Sequence, residues 1–171
     1  MNYLSAVVIV GVLMVAYVFT GKIISNFEGQ LSDYTNLITY MPMLMGTGGN
    51  TGSQAATLII RGLATDEVEP QDFLKILWKE IRVGIILGTI LSIINFARIY
   101  FFEGVPFSQT ITVCTSMIGI VVFAKILGSM IPLIVKKLNL DPALIANPAI
   151  SSVSDAVALS IYFLMAGIFV F

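Results

Sequence analysis

Residues 41–54 read Met41-Pro42-Met43-Leu44-Met45-Gly46-Thr47-Gly48-Gly49-Asn50-Thr51-Gly52-Ser53-Gln54. They sit inside a window, Tyr34 to Ile60, that holds no charged residue and is closed by Arg61. A window of that length is enough to cross a bilayer, which takes about 20 residues. Yet glycines, an asparagine and a glutamine are costly in hydrocarbon unless protein or water surrounds them. Gly46, Asn50 and Gln54 recur every fourth residue and share one helical face. Gly48 and Gly52 form a small-xxx-small pair that permits close helix approach. Two readings of the stretch stand: a packing helix held by hydrogen-bonding side chains, or a helix lining a watery pathway with its glycine carbonyls exposed.

The rest of the chain has the composition this helix needs around it. Of 171 residues, 57% are hydrophobic and 11% charged, and the mean hydropathy is +0.96. Globular domains run near 25% charged, so a soluble fold and intrinsic disorder are both excluded. This much apolar chain supplies roughly five spans of about 20 residues. Uncharged windows and the charges between them place the spans at about 2–24, 34–62, 73–100, 107–135 and 142–171. Strand-like alternation is absent, and windows this long suit helices. The fold expected is an all-α integral membrane domain of five transmembrane helices, with no second domain. Pro70 is placed as a helix start and Gly104-Val105-Pro106 as a short turn. Residues 1–21 carry no Lys or Arg and no small-residue cleavage site, and are read as a retained span rather than a signal peptide.

Basic residues give the orientation. Arg61, Lys75, Lys79, Arg82, Lys136 and Lys137 follow spans two and four, against Lys22 and Arg98 on the other side. This puts the amino terminus inside and the carboxyl terminus outside. A net charge of −1 argues against a nucleic-acid partner. With no histidine and only Cys114, a disulfide framework, a Cys/His zinc site and a His-based triad are excluded. Any metal must be met by oxygen, which suits hard cations.

Asp155 is the only charge between Asp141 and the end of the chain. An intramembrane carboxylate marks an ion or proton path by default. Asn147, Ser151 and Asp155 step by four and form a polar stripe, and Pro142 and Pro148 can free carbonyls nearby. The structural alternatives are a buried salt bridge from Asp155 to Lys125, or a protonated Asp155. Otherwise Lys125 is expected to snorkel, and Lys79, Glu80 and Arg82 to form a solvated face around Trp78. Gly84 and Gly88 read as a second close-packing pair, and Cys114 and the methionines as packing. One carboxylate is too little charge for a divalent ion, whereas a two-fold dimer would bring two copies of Asp155 to one axis.

The run from Pro42 to Arg61 closely resembles the second membrane helix of MgtE-type magnesium transporters. Asp141-Pro142-Ala143-Leu144, Asn147-Pro148 and Ser154-Asp155 resemble that family's fifth helix. The resemblance covers essentially the whole chain. It implies a homodimer in a bacterial plasma membrane, with a pore at the two-fold interface formed by helices two and five of both subunits. By matching position, Asp155 would be the principal acid of the ion site. Asn50 and Asn147 would flank it through side-chain oxygens, and Gly46 and Ser151 would surround the hydrated ion chiefly through carbonyls. The cargo implied is Mg2+, with Mn2+, Co2+ and Ca2+ as further candidates. Typical members also carry a cytosolic amino-terminal domain and a CBS-domain pair that sense magnesium. Here the chain enters the membrane within its first residues, so inhibition through those domains is not expected to carry over.

Three functions remain open to the sequence. The leading one is a divalent-cation channel or transporter. The others are a proton- or sodium-coupled exchanger using Asp155, and a membrane-embedded assembly subunit without transport. No base–nucleophile pairing supports an intramembrane enzyme.

Overall fold

The computed structural model describes residues 3–31, 34–138 and 140–171. Five long helices carry the chain: α1 (Tyr3–Leu31), α2 (Thr35–Ala64), α3 (Phe73–Phe96), α4 (Phe107–Lys137) and α5 (Pro142–Phe169). Among the described residues, three helical stretches are long and apolar enough to cross a membrane: Pro70–Phe102, Phe107–Lys137 and Ala149–Phe169. The polar stretch of residues 41–54 lowers the apolar content of α2. α1 runs past Lys22, where the charge pattern closes the span, as far as Leu31.

Local chemistry sets the helix ends. Pro70 opens a single 3-10 turn, Pro70–Asp72, whose first amides are capped reciprocally by Glu69 and Asp72. At its other end α3 loosens into a π-turn, Ala97–Phe102. Gly104 then takes φ +67°, a left-handed conformation open to glycine at little cost, and the chain reverses into α4. Asp141 caps α5 by accepting from the Ala143 amide at 2.9 Å, with Pro142 in the first turn where no amide is missed.

α4 is the central helix, packed on α2, α3 and α5, whereas α1 lies mainly against α5. Phe27 of α1 stacks on Phe163 of α5 with ring centroids 4.4 Å apart. At one end of the bundle Ile59, Leu63, Ile76, Met130 and Leu133 close a core between α2, α3 and α4. Arg61, Lys75, Lys79, Arg82, Lys136 and Lys137 therefore gather at the same end. At the other end Glu103 accepts from Tyr40 Oη of α2 and pairs with Arg98.

The α3–α4 seam is an antiparallel register of small and polar residues. Ile76, Glu80, Gly84, Gly88 and Ser92 are the buried residues of α3 and repeat every fourth position. A Cβ on Gly84 would lie 2.9 Å from Val122 Cα, and one on Gly88 3.0 Å from Ile118 Cα. Gly84 and Gly88 are thus a close-packing pair. One turn on, Ser92 Oγ donates to Cys114 O at 2.9 Å. Cys114 is buried packing.

The same register corrects three readings. Glu80 does not belong to a solvated face, and Lys125 neither snorkels nor reaches Asp155. Both are 7% exposed, and Lys125 Nζ lies 3.5 Å from Glu80 Oε2. Glu80 falls on the glycine stripe of α3, so its helical position carries it into the seam while Lys79 and Arg82 stay exposed. Arg82 sits over the Trp78 ring, 5.8 Å from its centroid.

Candidate ion path

α2 presents two opposed faces, because residues two apart on a helix point about 200° apart. Gly48 and Gly52 face inward. A Cβ on Gly48 would meet Ile120 Cγ2 at 3.0 Å, and one on Gly52 would meet Ile150 Cγ2 at 2.7 Å and Ala124 O at 3.3 Å. From the other side, a Cβ on Gly128 of α4 would overlap the Gly52 carbonyl. These glycines let α2 and α4 meet almost backbone to backbone, with Ile150 and Ser154 of α5 packed on the same stretch. The helix tolerates Pro42, and Thr47 Oγ1 donates to Met43 O at 2.7 Å within the same turns.

Gly46, Asn50 and Gln54 face outward from the chain and are exposed. No atom lies within 4 Å of where a Gly46 Cβ would stand. Asn50 and Gln54, with Ser53, Thr57 and Leu58, line an open groove of about 580 Å³ along α2.

α5 approaches this helix through Ser154. Ser154 Cβ would lie 3.8 Å from a Gly48 Cβ, and Ser154 Oγ 3.5 Å from a Gly52 Cβ. The contact sets Asp155 at the level of residues 48–52 and hence at the level of Asn50. Ser151 and Asp155 are half-buried. Among the described residues Asp155 makes no ion pair: Arg98 pairs with Glu103 and Lys125 with Glu80. Asn147 belongs to α5, and its side chain lies outside the described residues. No three Asp, Glu, Cys or His side chains converge among the described residues. Through their neighbours Ser154 and Ile150, Asp155 and Ser151 of α5 are therefore set at the level of the Gly48–Gly52 stretch of α2. Sequence reasoning quoted Ser154 in the fifth-helix motif but gave it no role at the site; its buried hydroxyl has no hydrogen-bond partner among the described residues. The charge of its neighbour Asp155 is the stronger sequence signal, and the placement of Ser154 opposite the Gly48–Gly52 pair is tertiary.

A family model for MgtE, a divalent cation transporter, matches residues 41–165. The chain belongs to the MgtE family. It is 40% identical over 151 residues to the magnesium transporter MgtE of Thermus thermophilus, covering 88% of this chain and 33% of that protein. It is 32% identical to the magnesium transporter MgtE of Bacillus subtilis, with the same coverage. Identity to the magnesium transporter MgtE of Enterococcus faecalis is 28%. The chain thus spans about a third of the length of these relatives. It corresponds to an MgtE membrane domain, an integral membrane protein with bacterial relatives. Membership of a transporter family sets the intramembrane-enzyme reading aside.

Proposed function

We propose that this MgtE-family chain passes hydrated Mg2+ down its electrochemical gradient through a path between two copies related by a two-fold axis. All five helices cross the membrane, with the amino terminus cytoplasmic, as the basic end of the bundle favours. One observation carries the reading: α2 turns its polar Gly46–Asn50–Gln54 face out of the chain at the level of Asp155, which is half-buried and makes no ion pair among the described residues.

A polar face looking outward in a membrane needs water or protein beside it. A second copy supplies both, and it doubles the carboxylates to match a 2+ ion. At about 5 Å and an effective dielectric of 20, each carboxylate attracts the ion by roughly 7 kcal/mol before desolvation. Magnesium holds its water tightly and prefers octahedral geometry, so contact through the hydration shell lowers the cost of entry. Asp155 is the charge of that site, with Asn50 and Asn147 as amide acceptors. Gly46 and Ser151 complete the lining with carbonyls and a hydroxyl. The membrane potential drives the ion with about 4.6 kcal/mol per 100 mV, twice the value for a single charge.

The test is magnesium uptake into liposomes by the wild type and by Asp155→Asn. The variant retains the side-chain shape and removes the charge, so uptake falls to near background while the dimer persists. Full uptake by Asp155→Asn overturns the reading and leaves the polar faces as helix packing.

A further inference from the structure

The buried Glu80–Lys125 pair is not needed for the path described above, yet it lies one helix behind it. A charged pair inside a membrane bundle carries a large desolvation cost, which pairing offsets only where the geometry is good. Lys125 Nζ stands 3.5 Å from Glu80 Oε2, and each side chain is 9% exposed. That Glu80 oxygen has no hydrogen-bond partner among the described residues. The Nζ–Oε2 contact therefore rests on the mutual attraction of two charges rather than on a hydrogen bond. Such an attraction depends on how α4 is turned and seated against α3.

The seating of α4 reaches the path directly. Ala124, beside Lys125, turns its carbonyl toward Gly52, and Gly128, one turn on, abuts the Gly52 carbonyl. Neither glycine has a side chain to absorb a shift between helices. A slide or rotation of α4 is thus passed to the α2 backbone within one turn of Asn50. We infer that Glu80 and Lys125 are positioning residues for the ion path, fixing the register of α4 and through Gly128 and Gly52 the geometry of the α2 lining. This inference rests on the transport reading.

The test compares dimer assembly with the concentration dependence of magnesium flux in liposomes. A neutral pair, E80M/K125M, removes both charges at similar size, and replacement of a buried ion pair by apolar residues of similar volume leaves stability near or above that of the wild type. It is expected to assemble and melt like the wild type while its half-saturating magnesium concentration shifts about threefold or more, the range for coupling through packed residues. The charge exchange E80K/K125E is expected to return that value towards the wild type. A stable neutral pair with unchanged half-saturation and unchanged magnesium–calcium competition overturns the inference. Should the neutral pair not assemble, E80D and K125R decide, since each keeps both charges and alters their separation. The inference expects a shifted half-saturation with an intact dimer, and wild-type values from both overturn it. Asp155→Asn separates the two claims: unchanged flux there defeats the transport path, whereas unchanged half-saturation in the pair variants defeats only the positioning role.

Discussion

Replacing Gly128 by alanine sets a Cβ against the backbone of Gly52, 2.8 Å from its carbonyl carbon and 2.9 Å from its Cα, with the carbonyl oxygen closer still. Carbon atoms rest at about 3.5–4.0 Å, so α2 and α4 must part by roughly 1 Å. Neither partner is a side chain that can rotate away. A gap of that size forfeits about a quarter to a half of the dispersion energy along the contact. Overpacking typically costs about 1–3 kcal/mol, and backbone against backbone belongs at the upper end. Alanine returns about 1 kcal/mol through helix propensity, leaving a net loss of about 2 kcal/mol. For a chain of this size that lowers the melting temperature by roughly 4–8 °C. Cys114 is buried and is the one cysteine of the sequence, so a maleimide dye that fluoresces on reaction reads unfolding in detergent without an engineered cysteine. Gly46→Ala is the internal control: nothing lies within 4 Å of its Cβ, and it is expected to melt at or above the wild type. Wild-type melting of Gly128→Ala, or an equal loss in Gly46→Ala, refutes the assignment of inward and outward faces on α2.

Two further outcomes follow from the same geometry. Asn50→Ala removes an exposed amide from the outward face without touching the α2–α4 contact. It is expected to leave dimer assembly intact and to weaken the preference for magnesium over calcium in competition flux; unchanged competition rejects its role in the lining. Neutralising Asp66, Glu67, Glu69 and Asp72 to their amides is expected to change magnesium flux, and its dependence on internal magnesium, by less than about twofold. These charges stand in screening solvent, Lys75 and Lys79 lie beside them on the groove that Glu67 and Asp72 line, and Asp72 is engaged as a cap. Loss of strong inhibition by millimolar internal magnesium in that variant would identify the loop as a sensor.

The helices are legible because charge is the scarce residue class here. Where only 11% of residues are charged, their positions mark the ends of apolar windows, and Arg61, Asp72 and Asp141 all stand within a few residues of a helix end. Lys22 misleads for the same reason. It is exposed on α1 and costs the helix nothing, so the helix runs on to Leu31. The glycine pairs are legible from their spacing, since a step of four defines one face whatever lies opposite. Glu80 is easily misread because its neighbours Lys79 and Arg82 are exposed charges, and a local average gives all three the same environment. The better signal is the step of four from Glu80 through Gly84 and Gly88 to Ser92. A lone lysine within the span of α4 needs a partner, and that stripe contains one. The pairing itself rests on the antiparallel register of α3 and α4, which is a tertiary fact.

Glycine does opposite things on the two faces of α2, and the contrast bears on why a transporter would use this sequence. On the inward face, Gly48 and Gly52 remove side chains so that other helices can touch the backbone. That contact seats α2 closely on its neighbours where most residues would hold the helices apart. On the outward face, Gly46 removes a side chain and nothing fills the space. A helix so seated, with an uncovered backbone face, holds its carbonyls in place without having to reorganise around an arriving ion. Hydrated magnesium needs oxygen acceptors at a fixed radius more than it needs strong ligands. On the transport reading proposed above, Asp155 supplies charge and α2 supplies geometry. Substitutions should divide accordingly: loss of the carboxylate lowers flux for every divalent ion, while loosening α2 from behind alters which ion is preferred.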